Sequence, residues 1–498
     1  MSNLMRCLFF ILMFLGGLYS ALSQTGDKPL RVELETLKDA EDYQSMPVGA
    51  HGVYVIYQSA EVGADSLAWT FIHYDTNLQK INTSQLVLKR NFEIAGMDFY
   101  QQHLLLLMQE HVTFKKADVR CFAITIDVVS EEFEVFSLGE MINSTVREVK
   151  LLDNSASVFV VSGEKEKQEL LYFADFTMPS LSQWVPSPGQ AYSLFGLTTR
   201  DTLRKQLLFT VLQNQMVDLY ITDFQGNIIT SVPYPVVVDY FYENVQLSVV
   251  DTDTYLIIGT YTTSAIRFST NISSGVYTLL YKNGLFNEPQ FFDYTAIKNG
   301  GVSDARTTKP GVSLSNFHLL PSPVFTDGKS FLFLTEVYYP EYTTTTQYSH
   351  YDPLYGSYTP NTVNTFVGYH YVNANITTFD TVGNLIWNYY FPFGNLISMH
   401  LMQRLTAHFM DDNLLLFYPF NFYIHSLLLH RDEPIVPTSV MALETLYGGD
   451  NVEYSRNARI EPWVGNHFIC TGYQYIRGRS KSAKSRRYVY YINRLDYK

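Results

Sequence analysis

DFQGNII at residues 223–229 and DTVGNLI at residues 380–386 share one pattern, Asp-x-x-Gly-Asn-(Ile/Leu)-Ile. Each follows a β-prone run, DLYIT (218–222) in one case and ITTF (376–379) in the other. The chemistry is that of a tight hairpin. An aspartate accepts hydrogen bonds from turn amides, glycine supplies a positive φ, and asparagine tolerates the left-handed region. An acidic calcium loop would need several more oxygen ligands at alternate positions than these segments offer. YDTNLQK (74–80) and LYKNGLF (280–286) are weaker versions of the same turn.

Working outward from these turns, a repeat emerges. Eight short apolar strands recur: VYVIYQ (53–58), LLLLMQ (104–109), SVFVVSG (157–163), LLFTVLQ (207–213), YLIIGTY (255–261), FLFLTEVY (331–338), LLLFYPFN (414–421) and HFICTGYQ (467–474). The first five start about 50 residues apart, and longer steps follow where insertions fall. The second unit divides into strands at 92–100, 103–110, 119–127 and 133–139. The last unit has strands near 459–464, at 467–476 and at 487–495, and then the chain stops one strand short. LRVELETL (30–37) precedes the first unit's own opening strand and is free to supply it. The predicted fold is therefore all-β: a closed β-propeller of eight four-stranded blades, with seven as the alternative count, whose N-terminal strand completes the last blade. An open solenoid would need capping units that the sequence lacks.

The run FDTVGNLIWNYYF (379–391), with Trp387 on the strand after the turn, resembles the blade turn of bacterial quinoprotein-like β-propeller repeats. The resemblance implies the fold and an exported protein. It implies no cofactor, because no quinone-binding constellation accompanies it, and none is expected.

Composition agrees with repeated β-structure: aromatic residues make up 15% of the chain and charged ones 17%. The net charge of −13 excludes general nucleic-acid binding, which needs a basic field. Arg6, the apolar run 7–18 and Ala21-Leu22-Ser23 read as a secretory signal over residues 1–23, cleaved before Gln24. The expected location is periplasmic or extracellular, with no membrane insertion after cleavage. Residues 24–498 then form one propeller domain. Cys121 and Cys470, placed on different blades, are predicted to be free and buried.

Long loop insertions are expected at 293–315, 339–363, 422–436 and 477–486, all on one face of the disc, where rigid scaffolds carry function. The second is rich in tyrosine. Tyr342, Tyr348, Tyr351, Tyr355 and Tyr358, with His350 and Asp352 among them, are ligand-binding candidates, because tyrosine combines apolar area with a polar tip. Packing of the same rings on their own blade is the other reading. The last loop concentrates Arg477, Arg479, Lys481, Arg486 and Arg487, candidates for an anionic glycan or an acidic partner patch, or simply a solvated hairpin tip. No metal-ligand spacing or nucleophile elbow is present. The leading expectation is a non-enzymatic binding or scaffold protein that docks a protein or envelope polysaccharide. The alternatives are a carbohydrate-active hydrolase with carboxylates at the central channel, and a structural subunit of an envelope or secretion assembly.

Overall fold

The computed structural model describes residues 30–38, 43–111, 118–162, 168–186, 192–213, 216–263, 273–293, 318–352, 357–478 and 486–497. The signal segment 1–23 and most of the 293–315 insertion lie outside them. The described residues form eight antiparallel sheets of four to six strands and no α-helix; one 3-10 turn spans Gly49–His51. No helix among them is long and apolar enough to cross a membrane.

In chain order the sheets run from 43 to 89, 92 to 142, 146 to 183, 193 to 233, 240 to 293, 318 to 398 and 406 to 442. The eighth spans 451 to 496 and adds Arg31–Thr36. Within each of the first seven, strands pair in the order in which they occur. The extra strands are breaks in a four-strand pattern: Ser193–Leu194 and Thr199–Asp201, for instance, both pair with Gln206–Gln213. All eight apolar runs singled out from the sequence are the second strand of their sheet. The second unit's four predicted strands are found at Phe92–Tyr100, His103–Glu110, Asp118–Asp127 and Phe133–Ile142.

By internal contacts the chain divides into two compact units, Met1–Pro233 with Thr406–Lys498, and Tyr234–Leu405. In the first unit, sheets pack face to face in sequence. Ile469, Tyr473, Tyr490 and Ile492 of the eighth meet Val53, Val55, Ile72 and Tyr74 of the first. Leu104, Leu106 and Met108 of the second sheet join Tyr54, Ile56, Trp69 and Phe71 of the first, while Leu105 and Leu107 join the core shared with the third. A strand buried on both faces has no polar side, which is why LLLLM is an unbroken apolar run rather than an alternating one. Each such leucine contributes about 1.5–3 kcal/mol. In the second unit, Leu256, Ile258 and Val276 pack on Phe331, Phe333 and Phe379.

The hairpin turns form as their residues require. Asp223 Oδ1 accepts the amides of Gln225 at 3.0 Å and Asn227 at 2.8 Å, and its Oδ2 accepts the Asn227 side-chain amide at 2.8 Å. Asp380 repeats this with Val382 at 3.0 Å and Asn384 at 2.8 Å. Gly226 and Gly383 hold φ of 86° and 90°. They also permit close approach. A Cβ on Gly226 would stand 3.0 Å from the Phe173 ring, and one on Gly383 would stand 2.8 Å from Thr278 Oγ1. Each turn thus leans on the sheet before it.

The sequence reading errs at 422–436, which is not an inserted loop. It is the strand Tyr423–His430, a two-residue turn and the start of Glu433–Ala442. Its turns carry Asn421 and Arg431 at φ of 56° and 57°, so no glycine marked them. The insertion 339–363 is also ordered. Phe331–Asp352 and Ser357–Phe379 continue as a paired two-stranded ribbon far beyond the sheet. Four consecutive threonines and flanking tyrosines favour extended backbone, which explains the difference.

The eighth sheet draws on both ends of the chain. Arg31 to Thr36 pair antiparallel with Asn493 to Tyr488, as the shortfall of one strand predicts. A buried polar network fastens the junction. Arg31 donates to Glu33 at 2.8 Å, Asn493 at 2.8 Å and Gln474 at 2.7 Å. Arg487 donates to Glu33 at 2.8 Å and Asp450 at 2.6 Å. Burial alone would raise the Glu33 carboxyl, but Arg31, the Leu446 amide and Arg487 outweigh it and hold it below its usual range. Glu33→Ala leaves the buried Arg31 guanidinium without a countercharge and Arg487 with Asp450 alone, and the expected loss of stability is about 3–5 kcal/mol in denaturant unfolding. A loss under about 1 kcal/mol would show that the network does not hold the strand.

Candidate functional site

Of the tyrosine-loop candidates, Tyr342 is placed in full. It is 57% exposed on the ribbon, with its ring 5.6 Å from Phe366. Tyr348, His350, Tyr351, Asp352 and Tyr358 lie on the ribbon strands by backbone pairing, and Tyr355 falls outside the described residues. Side-chain contacts hold the ribbon base. His370 Nδ1 lies 2.8 Å from Tyr339 Oη and 3.2 Å from Glu341 Oε2, and Tyr338, Tyr369 and Phe366 pack ring on ring. Beyond that base, Thr343–Thr346 and Thr362–Thr365 face solvent.

The basic candidates do not act as one cluster. Arg487 is buried in the network that holds the N-terminal strand, which removes it from any surface site. Arg477 and Arg486 are exposed and sit directly opposite each other, a like-charge pair that Glu453 offsets by an ion pair to Arg477 at 2.9 Å. Arg479 and Lys481 lie outside the described residues. Cys121 and Cys470 are both free and buried, as expected. Burial pushes each thiol up to about 12.

Sequence reasoning missed a cavity of about 460 Å³ in the first unit. Its walls are the opening strands of three sheets. Tyr43, Gln44, Ser45 and Met46 come from the first sheet and residues 94–97 from the second. Asn457, Arg459 and Glu461 come from the eighth, with Thr471, Tyr473 and Tyr490 from the strands behind them. Two of these opening strands are bulged where they face it. The ladder slips between Ile94 and Gly96 and between Arg456 and Arg459, and Asn457 takes φ of 51°. Bulges re-aim side chains and are enriched beside functional sites. Gly472 makes the second possible, since a Cβ there would stand 3.0 Å from Ala458 Cα.

The tyrosines form the wall. Tyr473 Oη accepts the Tyr43 amide at 3.0 Å and donates to the Tyr43 carbonyl at 3.1 Å; Tyr490 Oη shares a 2.6 Å hydrogen bond with Ser45 Oγ. Tyr43 stacks on Tyr490 at 5.3 Å. Glu461 is exposed to solvent, as are Gln44 and Arg459. The protein around it nonetheless raises its carboxyl above the usual range, with Arg459 opposing. Among the described residues it is the only carboxylate of the lining. The signal available in the sequence was a set of polar residues, YQS (43–45) and NAR (457–459), on opening strands.

The most perturbed carboxyl of the second unit is structural. Glu336 is fully buried; its Oε1 accepts the amides of Arg404 at 2.8 Å and Leu405 at 2.5 Å, and its Oε2 has no partner. Burial raises it to about 8 against those bonds and Arg404. Between the unfolded value of 4.5 and about 8 the native state keeps a proton that the unfolded chain releases. Stability therefore falls as pH rises through that window, by a few kcal/mol at most. Glu336→Gln is expected to flatten the decline in Tm between pH 5 and pH 8.5. An unchanged slope would assign the decline elsewhere.

No protein-family model matches the chain, and no curated protein sequence does. Among solved structures, the β-propeller domain of the trilobed protease from Pyrococcus furiosus aligns at 8% identity and a TM-score of 0.36, over 80% of this chain and 93% of that one. The polysaccharide lyase Uly1 aligns at 8% and 0.39, over 81% and 89%. The Dos1 propeller aligns at 13% and 0.38, over 79% and 90%. The all-β fold is carried by the eight sheets themselves.

Proposed function

We propose that this chain is an exported β-propeller binding protein that docks a protein or an envelope polysaccharide through its projecting ribbon. In this reading the eight sheets are the blades of one closed propeller of the quinoprotein-like repeat style, and residues 1–23 direct export. Support for the fold comes from eight antiparallel meanders in chain order and from the pairing of Arg31–Thr36 with the last strand.

The ribbon carries the functional reading. A two-stranded hairpin standing alone is marginal in water. Here it is anchored at its base by the Tyr339–His370–Glu341 contacts and offers exposed Tyr342, exposed threonines and outer backbone edges. Of the two partner classes a protein is favoured, because such edges accept strand addition and tyrosine rings suit protein contacts.

The test is a pull-down from envelope extract with residues 24–498, beside a variant in which a short Gly-Ser linker replaces residues 341–362. The expected result is a protein retained by the intact chain and lost by the variant. Equal retention by both would move the site off the ribbon. Retention of polysaccharide alone would replace the protein partner, and no retention would overturn the binding reading.

A further inference from the structure

One edge of the ribbon is both open and self-complementary. Phe331–Asp352 pairs along one side with Ser357–Phe379. Along the other it pairs with Phe325–Thr326 and His318–Pro321, and beyond Tyr338 no strand among the described residues covers it. From Tyr342 to Tyr348 the ribbon ladder runs unbroken, with a register slip just before it and another just after. This straight stretch reads Tyr-Thr-Thr-Thr-Thr-Gln-Tyr, and apart from Gln347 against Thr343 it is the same in both directions. Natural edges are blunted by lysine, proline, a bulge or a charge. Within 342–348 there is none of these. The ribbon's other edge differs, because Pro360 stands in it with no amide to offer.

We infer, resting on the reading of the ribbon as a binding element, that its partner is a second copy of this chain, added antiparallel to this edge about a two-fold axis at Thr345. That axis sets position 342 opposite 348, 343 opposite 347, 344 opposite 346 and 345 opposite itself. Tyrosine then meets tyrosine, and threonine meets threonine or glutamine, which are pairs that stabilise a sheet. No like charges meet, since the nearest acidic residues, Glu341 and Asp352, fall opposite Ser349 and Tyr338. A slip of two residues would set Tyr348 opposite Pro340 and break the tyrosine pair. Tyr342 and Thr343 to Thr346 already face solvent, so nothing has to be displaced. The main-chain hydrogen bonds of strand addition supply the affinity. Pairing also turns two ribbons, each marginal alone, into one four-stranded sheet. The outer edges of that sheet carry Pro360, so growth stops at a closed pair and does not continue into a fibre.

The test is sedimentation velocity on residues 24–498 and on two double variants, with folding checked by circular dichroism. At about 100 μM the intact chain is expected to sediment mainly as a dimer, with Kd below about 50 μM. Thr344→Lys with Thr346→Lys sets lysine opposite lysine twice across the axis, and the dimer is expected to weaken about tenfold or more. Thr344→Lys with Thr346→Glu sets opposite charges across the same axis, and Kd is expected to stay within about threefold of that of the intact chain. Both variants alter the same two exposed positions, so loss in the first alone reports the pairing and not a damaged fold. Three results would overturn the dimer: a monomer throughout, a dimer indifferent to the two lysines, or equal loss in both variants. If the chain is monomeric yet retains a different protein in the pull-down, the ribbon reading stands without the dimer. A monomer that retains nothing ends both.

Discussion

The antiparallel pairing of Arg31–Thr36 with the strand Arg486–Asp496 is the constraint on which the eighth sheet depends. Without it, the last strand would present an open edge of unpaired amides and carbonyls. The polar network fixes its register as well as its presence. Arg31 and Glu33 point to the same face, towards Asn493, Gln474 and Arg487. A slip of one residue would turn both to the opposite face. Arg487 would lose Glu33 and keep Asp450 as its countercharge. Buried charges that cost free energy when mispaired thus select one alignment. The Arg31 guanidinium also lies 4.8 Å from the centre of the Tyr491 ring, so packing and charge favour the same register.

A second device recurs across the sheets. Aspartate ends or directly follows the third strand of five of them, at Asp75, Asp127, Asp175, Asp223 and Asp380, and in each case Oδ1 accepts turn amides. Only two of these turns have the full Gly-Asn sequence. At the first, Leu78 takes φ of 57° with no glycine nearby. The aspartate hydrogen bonds, not the glycine, are the shared element. Glycine appears where the turn presses against the preceding sheet, at Phe173 and at Thr278.

These facts explain what was legible in the sequence. Second strands buried on both faces are unbroken apolar runs, so all eight stood out, and the missing strand of the last unit could be counted. The free thiols followed from that strand assignment. Tyr423–His430 was misread because Asn421 and Arg431 make its turns without glycine or proline. The ribbon was placed correctly but taken for a loop, since tyrosine-rich insertions carry no marker separating ordered from irregular backbone. Arg487 looked like one of six cations in a loop tip; only its position opposite Ile476, on the face that meets Glu33 and Asp450, shows that it belongs inside. The cavity was illegible for a different reason. It is built from residues more than 400 positions apart, and two of its walls depend on bulges that no local pattern announces.

Hydrogen–deuterium exchange reads whether Arg31–Thr36 and Arg486–Asp496 share one sheet in solution. Amides of residues 32–36 should be protected to the same degree as those of 487–495 and become exchangeable together with them as denaturant is added. Rapid exchange of 32–36 while 487–495 stay protected would show that the two segments do not form one sheet.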